Sequence, residues 1–170
     1  CGGLEREFGQ FLVQISIGFI TYSALGLSDV EMEDLLSVHS GVLEFVFQYA
    51  KPGIRRIPSH VWLRIKRRLI GMRLVVEAAD GCIVWFHRQL REEAEKYFSH
   101  VKIETHRILG EYFGNLIPSE SRQEQQLSRQ EWTLTGLPLV QSSKVNKRRC
   151  REARFSMLQG NNFTLLEKEL

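Results

Sequence analysis

The residues best suited to metal binding or nucleophilic catalysis are five histidines and three cysteines, and their spacing supports neither chemistry. The cysteines stand far apart, at positions 1, 82 and 150, and form neither a C-x-x-C pair nor a disulfide framework. The histidines lack metal-ligand spacing, and His100 and His106 would lie on different faces of a helix. We therefore expect no metal site. The few scattered cysteines favour a reducing, intracellular compartment, and we expect a cytoplasmic protein.

Catalytic and phosphate-binding motifs are missing from the sequence. It contains no G-x-x-x-x-G-K-[ST], no G-x-G-x-x-G, no H-E-x-x-H and no G-x-S-x-G. Glu92, Glu93 and Glu95 resemble a carboxylate cluster, but they fall on the polar side of an amphipathic helix. We expect this chain to contain no catalytic residue, so it would not be an enzyme by itself.

One histidine, His87, ends a β-rich run and stands directly before an amphipathic helix. Its residue type and position leave two interpretations open. It could cap the helix or fill the edge of the domain, or it could contact a ligand.

Charge is strongly segregated along the chain. Residues 1–50 carry seven acids and one base, whereas residues 51–73 carry eight bases and no acid. A second basic run spans residues 144–154 and includes Lys147 to Arg151. Such segregation can attract an anionic partner. Alternatively, the acidic and basic faces meet each other or another domain. The run from Lys147 to Arg151 has its own two interpretations, a nuclear localisation patch and a solvated helix face.

The elements around His87 follow from periodicity and turn chemistry. A first helix is predicted from Leu4 to Tyr22, closed by Gly26, and Ser28 with Glu31 has the form of a capping box. The other predicted helices are one that begins at Ser28, one from Val42 to Tyr49, one from Pro58 to Leu69 with Val61, Trp62, Ile65 and Leu69 along one side, and one from Val101 to Phe113. A hairpin is predicted from Met72 to Glu77 and from Cys82 to His87 around Asp80-Gly81. The helix after it, Arg88 to Phe98, places Leu90, Ala94, Tyr97 and Phe98 on one face. Three helices, a hairpin and a further helix are typical of a winged-helix domain.

The predicted fold is therefore mainly α. It comprises a lead-in helix at 1–23, a winged helix at 24–98, a connector helix at 99–115, a polar linker at 116–141 and the start of an α-solenoid at 142–170. The chain reads as a piece of a longer protein. Its most apolar run, Phe11 to Leu27, is too polar for a membrane span, so we expect no membrane partner.

The third helix of the predicted winged helix is basic, and many winged helices place this helix in the DNA major groove. Arg64, Arg67 and Arg68 could contact phosphates. The helix has no Asn or Gln to read adenine, and the hairpin tip is acidic. Nucleic-acid binding therefore stays an alternative, as does a purely structural adaptor.

A set of short matches in order resembles one known family. They are Ala24-Leu25-Gly26-Leu27-Ser28, Arg56-Ile57-Pro58 with Trp62, Asp80-Gly81, Phe86-His87-Arg88-Gln89-Leu90, Tyr112-Phe113, and Pro138-Leu139-Val140. From Ala24 to Leu170 the chain resembles the winged-helix region and start of the superhelical repeats of a STAND-class, NACHT-type NTPase with WD or tetratricopeptide repeats.

The resemblance implies a nucleotide-switched signalling or scaffold ATPase as the parent protein. Its upstream NTPase domain would bind ADP or ATP, and its downstream repeats would bind other proteins. His87 matches the family histidine that approaches the nucleotide phosphates in the closed, ADP-bound state. The phosphate loop is not in this sequence, so we expect no cofactor in this segment itself.

Overall fold

The computed structural model describes residues 2–49, 53, 55–114, 116–117, 140–141, 144–145 and 147–160. These residues form a mainly helical protein with two short antiparallel hairpins. The elements are α1 (Gly2–Phe8), α2 (Gln10–Tyr22), α3 (Asp29–Val38), α4 (Ser40–Val46), α5 (Ser59–Gly71), β1 (Val75–Glu77), β2 (Ile83–Trp85), α6 (Arg88–Tyr97), a 3-10 turn (Ser99–Val101), α7 (Lys102–Phe113), β3 (Val140–Gln141), β4 (Lys144–Val145) and α8 (Lys147–Gln159).

The first helical segment is broken at Gly9, so the prediction of one continuous helix from Leu4 to Tyr22 is wrong. Gly9 has φ +86°, and a Cβ at this position would collide with the ring of Phe45. Glycine relieves both restrictions because it has no side chain. The break therefore comes from packing against α4, a contact that local propensity cannot show.

The turn between α2 and α3 contains the predicted capping box. The Ser28 hydroxyl accepts from the Glu31 amide at 3.3 Å, and the Glu31 carboxylate accepts from the Ser28 amide at 2.8 Å. Gly26 is not the helix C-terminal glycine that the sequence suggested, because α2 ends at Tyr22. Gly26 instead takes φ +78° beside the backbone of Ile83.

Replacing Ser28 by Ala is expected to lower the free energy of unfolding by about 1 kcal/mol, because the Glu31 amide loses its capping acceptor. Urea denaturation followed by circular dichroism measures this change. Ser40→Ala is a suitable comparison, since Ser40 is exposed at the start of α4. Equal midpoints for the two variants would argue against the capping role.

The hairpin is confirmed, with β1 and β2 antiparallel and Val76 opposite Val84. Gly81 has φ +78°, and the Asp80 carboxylate accepts from the Cys82 amide at 3.0 Å. Leu27 forms an isolated antiparallel β-bridge with Ile83, since the two backbones exchange two hydrogen bonds. The hairpin is thereby anchored to the turn that follows α2.

The buried core is built mainly from α2, α3, α5 and α7. Trp62, Ile65 and Leu69 of α5 are fully buried, as the helical spacing predicted. In α6, Ala94 and the adjoining Phe98 are buried, but Tyr97, which belongs to the same predicted apolar face, is 58% exposed. The wide polar surface of α6 shows that only a narrow stripe of this helix contacts the core.

Helix α8 packs antiparallel to α7 and contributes Ala153 and Met157 to the same buried cluster as α2 and α3. Most of the predicted linker at 116–141 and the end of the chain after 160 lie outside the described residues. The division into a winged helix at 24–98, a connector at 99–115 and helical repeats from 142 stays a prediction.

Candidate functional site

His87 lies where the sequence placed it, between β2 and α6. It is the N-cap residue of α6, and its backbone carbonyl accepts from the amides of Leu90 and Arg91. Its side chain makes no capping hydrogen bond and is exposed, with its ring 4.3 Å from that of Phe86. Among the described residues, the cap is thus made by the backbone, and the imidazole is accessible to a ligand.

The candidate phosphate-binding arginines of α5 do face away from the core, but two of them already meet a carboxylate. Arg64 and Arg68 lie 3.5 Å and 3.1 Å from the Glu7 carboxylate of α1. Arg67 is exposed. Because Glu7 partly neutralises this surface, a phosphate backbone would have to displace it. The nucleic-acid alternative and the structural-adaptor alternative stay predictions.

The segregated charges meet each other inside the fold, as one of the two interpretations predicted. Lys66, only 10% exposed, donates to Asp29 at 2.7 Å and to Glu77 at 2.9 Å. Burial alone lowers the pKa of Lys66, but the bonds to Asp29 and Glu77 outweigh it and leave the pKa raised. Lys66 therefore links α5 to the start of α3 and to the hairpin, and its charge is structural.

A second buried network joins α3 to α7. The Tyr112 hydroxyl donates to the Asp34 carboxylate at 2.8 Å, and both side chains are fully buried. Arg56 pairs with Asp34 and, at 3.3 Å, with Glu33. Burial first, and the Asp34 charge second, raise the pKa of Tyr112 well above its usual value. The phenol stays protonated, so it acts as a hydrogen-bond donor in the core.

The sequence missed a third polar cluster, which docks α8 against the turn after α2. Arg148 donates to the fully buried Glu31 carboxylate at 2.6 Å and 2.7 Å and to the Gly26 carbonyl at 2.7 Å. Glu152, also fully buried, accepts from the Ala24 and Leu25 amides at 3.0 Å and 2.7 Å.

The basic run from Lys147 to Arg151 is therefore only partly exposed to solvent. Lys147 and Arg151 are exposed, whereas Arg149 is 5% exposed and donates to the Phe113 carbonyl at 2.8 Å. Exposed and buried basic residues alternate along α8 because one side of this helix packs against α7 and the other side faces solvent. Arg148 and Arg149 correct the solvated-face interpretation for this run.

No described cluster offers nucleophilic or metal chemistry. Burial raises the pKa of the Cys82 thiol to about 11, so it is protonated at neutral pH. Among the residues that the structure describes, histidines, cysteines and carboxylates form no group able to hold a metal ion. Within the same part of the chain, none of the helices is both long and apolar enough to span a bilayer.

Comparison with known proteins relates the chain to one group. It is 35% identical over 120 residues to "NACHT domain- and WD repeat-containing protein 1" of Mus musculus, a match that covers 66% of this chain and 8% of that protein. The Homo sapiens protein of the same name is 29% identical across 100% of this chain and 12% of its own length. "NACHT and WD repeat domain-containing protein 2" of Mus musculus is 32% identical over 65% of this chain and 7% of its own length.

These matches leave most of each relative outside the comparison, since this chain spans 7% to 12% of their lengths. No family model matches the chain. No solved structure matches it either. The resemblance to NACHT proteins with WD repeats is confirmed, at the level of a shared region.

Proposed function

From the premise that this chain is homologous to one region of the NACHT and WD repeat-containing proteins, we propose that it is a regulatory winged-helix segment of a nucleotide-switched signalling or scaffold ATPase. It couples the ADP or ATP state of an upstream NTPase domain to assembly or partner binding. The observation that carries the proposal is the exposed His87 imidazole at the strand-to-helix junction, which α6 does not use as a cap.

The order of the elements supports the winged-helix assignment. Helices α3, α4 and α5 precede the hairpin of β1 and β2, and Leu27 pairs with β2 on its other side. Helix α6 follows after two residues, Phe86 and His87. This compact junction fixes the position of His87 relative to the core, which is what a contact to a ligand on a neighbouring domain requires.

The chemistry of the proposed contact is a hydrogen bond from the His87 imidazole to a phosphate oxygen. Hydrogen bonds to charged groups contribute about 1.5–3 kcal/mol, more than neutral pairs do. A contact made only in the closed, ADP-bound arrangement shifts the population towards that arrangement. In this proposal the nucleotide is held by the upstream domain, and this segment supplies no catalytic residue.

The partners in this proposal are the upstream NTPase domain of the same chain and proteins bound by downstream repeats. The printed names of the relatives include both NACHT and WD repeats, which supports such an arrangement in the parent protein. A cytoplasmic location is part of the proposal.

The test is His87→Leu in the full-length protein. Loss of one charge-assisted hydrogen bond of 1.5–3 kcal/mol is expected to speed ADP release by about ten- to a hundredfold and to increase the oligomeric fraction. Stopped-flow release of a fluorescent ADP analogue and light scattering measure these effects. His60→Leu, which changes an exposed histidine on α5, serves as the matched control. ADP release and oligomeric state that are the same in both variants would contradict the sensor role.

A further inference from the structure

A cleft of about 360 Å³ lies between the end of α2, the turn after it, β2 and the start of α6. Its apolar wall includes Ile20, Leu25 and Val84. Its polar wall includes Trp85, Arg88 and Arg91, and none of its described lining residues is acidic. A concave site that combines apolar surface with a few converging polar groups is typical of ligand binding.

Both arginines have partners that a ligand can replace. Arg88 is 90% exposed and pairs with Glu92 at 2.7 Å, four residues along the same helix. Arg91 pairs in the same way with Glu95 at 3.0 Å and also donates to the Ser23 carbonyl at 3.3 Å. The Arg88 pair is exposed and contributes little to stability, so its guanidinium group can turn towards an anion in the cleft at low cost. Arg91 is 34% exposed, and an anion has to compete with its bonds to Glu95 and to the Ser23 carbonyl.

The indole ring of Trp85 also lines the cleft. Its Nε1 atom is buried and has no hydrogen-bond acceptor among the described residues. By contrast, the indole of Trp62 donates to Asp29 at 2.8 Å. Because the Nε1 atom is shielded from solvent, a molecule in the cleft meets other atoms of the Trp85 ring rather than its N–H group.

The wall opposite α6 is fixed in place by α8. Glu152 accepts from the Ala24 and Leu25 amides, and Arg148 donates to the Gly26 carbonyl. The turn of 24–26 therefore does not have to become ordered when a ligand enters. Such preorganisation lowers the entropic cost of binding.

We propose that this cleft binds an oxyanion, a carboxylate or phosphate group carried on a small apolar body. The anion accepts from Arg88 and Arg91, while its apolar body lies against Ile20, Leu25 and Val84. The group can belong to an acidic segment of a protein or to a free small molecule. The inference does not depend on the nucleotide contact proposed for His87.

Indole N–H signals in a ¹⁵N–¹H correlation spectrum of this chain test the proposal. The probes are phenyl phosphate, N-acetyl-aspartyl-leucine amide and the neutral benzyl alcohol. Because the Trp85 ring lines the cleft, we expect a saturable shift of the Trp85 signal with at least one anionic probe, and no shift of the Trp62 signal. Trp85→Phe assigns the signal. Binding of the peptide alone identifies a protein segment as the source, and binding of phenyl phosphate alone identifies a phosphate ester.

Arg88→Gln is expected to weaken binding by about two- to fivefold, as for an exposed charge pair, and the double variant with Arg91→Gln by more. Arg67→Gln, which changes an exposed arginine outside the cleft, leaves the affinity unchanged. An unchanged Trp62 signal shows that each variant is folded. The proposal is overturned if no anionic probe gives a saturable shift up to about 20 mM, well above a 1 mM Kd, if benzyl alcohol binds equally well, or if the double variant binds like the parent.

Discussion

Replacing Arg148 by Met is expected to lower the free energy of unfolding by about 3–5 kcal/mol, the usual effect of removing one partner of a buried ion pair. Arg148 is 13% exposed and Glu31 is fully buried. Without the guanidinium group, the Glu31 carboxylate keeps the Ser28 amide as a donor but loses its ion-pair partner. The Gly26 carbonyl also loses its donor from Arg148. Guanidinium chloride denaturation followed by tryptophan fluorescence measures the loss.

Two further variants separate the ion pair from general effects of substitution on α8. Arg151→Met changes an exposed arginine three residues away and is expected to alter stability by no more than about 0.5 kcal/mol. Adding Glu31→Gln to Arg148→Met removes the isolated buried charge and is expected to recover at least about 1 kcal/mol. If Arg148→Met and Arg151→Met unfold at the same denaturant concentration, the pair does not hold α8 in place.

Features determined by a few neighbouring residues were predictable from the sequence. The capping box needs only Ser28 and Glu31, and the hairpin turn needs only Asp80 and Gly81. The buried face of α5 follows from the spacing of Trp62, Ile65 and Leu69. In each case the residues that determine the structure are within a few turns of chain, so their chemistry can be read without knowing the tertiary fold.

Features that depend on distant segments were not predictable. Gly9 breaks a helix because Phe45 packs against it, and Lys66 is buried on a basic helix because Asp29 and Glu77 converge on it. Arg148 bonds to a carboxylate 117 residues away. Nothing in the local pattern distinguishes such residues from solvated ones, because each pairing forms only when the elements pack.

In the candidate site too, features set by neighbouring residues were predictable and features set by distant segments were not. The place of His87 between a strand and a helix followed from the local pattern and is observed. The exposure of its imidazole depended on α6 being capped by the backbone alone, which the sequence does not reveal. The cleft beside it was missed entirely, since its lining comes from residues 20–26, 84–85 and 88–91.

Acidification is expected to destabilise this protein through His106 by up to about 3 kcal/mol between pH 6.5 and pH 4, taking 1.36 kcal/mol for each unit of pKa. The side chain is 1% exposed, and its ring packs 5.2 Å from that of Tyr22 and 5.7 Å from that of Phe155 on α8. Burial first, then the charges of Lys102 and Arg91, lowers the pKa of His106 from 6.5 to about 4. Within the described part of the chain its Nδ1 atom has no hydrogen-bond partner, so a protonated ring would gain no acceptor on that side.

The direction in which stability changes with pH follows from whether the folded or the unfolded chain takes up the proton. Between pH 6.5 and pH 4 the unfolded chain protonates His106 and the folded chain does not, so stability falls as the pH falls through this window and is fully present above it.

Carboxylates such as Glu152 also titrate in acid, and they affect the parent protein and a His106 variant alike. The difference in unfolding free energy between the parent and His106→Phe therefore isolates the histidine: it should shrink or change sign on going from pH 7 to pH 4, because phenylalanine does not titrate. His100→Phe changes an exposed histidine and should give a difference nearly independent of pH. A pH-independent difference for His106→Phe would mean that His106 is protonated as readily in the folded chain as in the unfolded one, despite its burial between α2, α7 and α8.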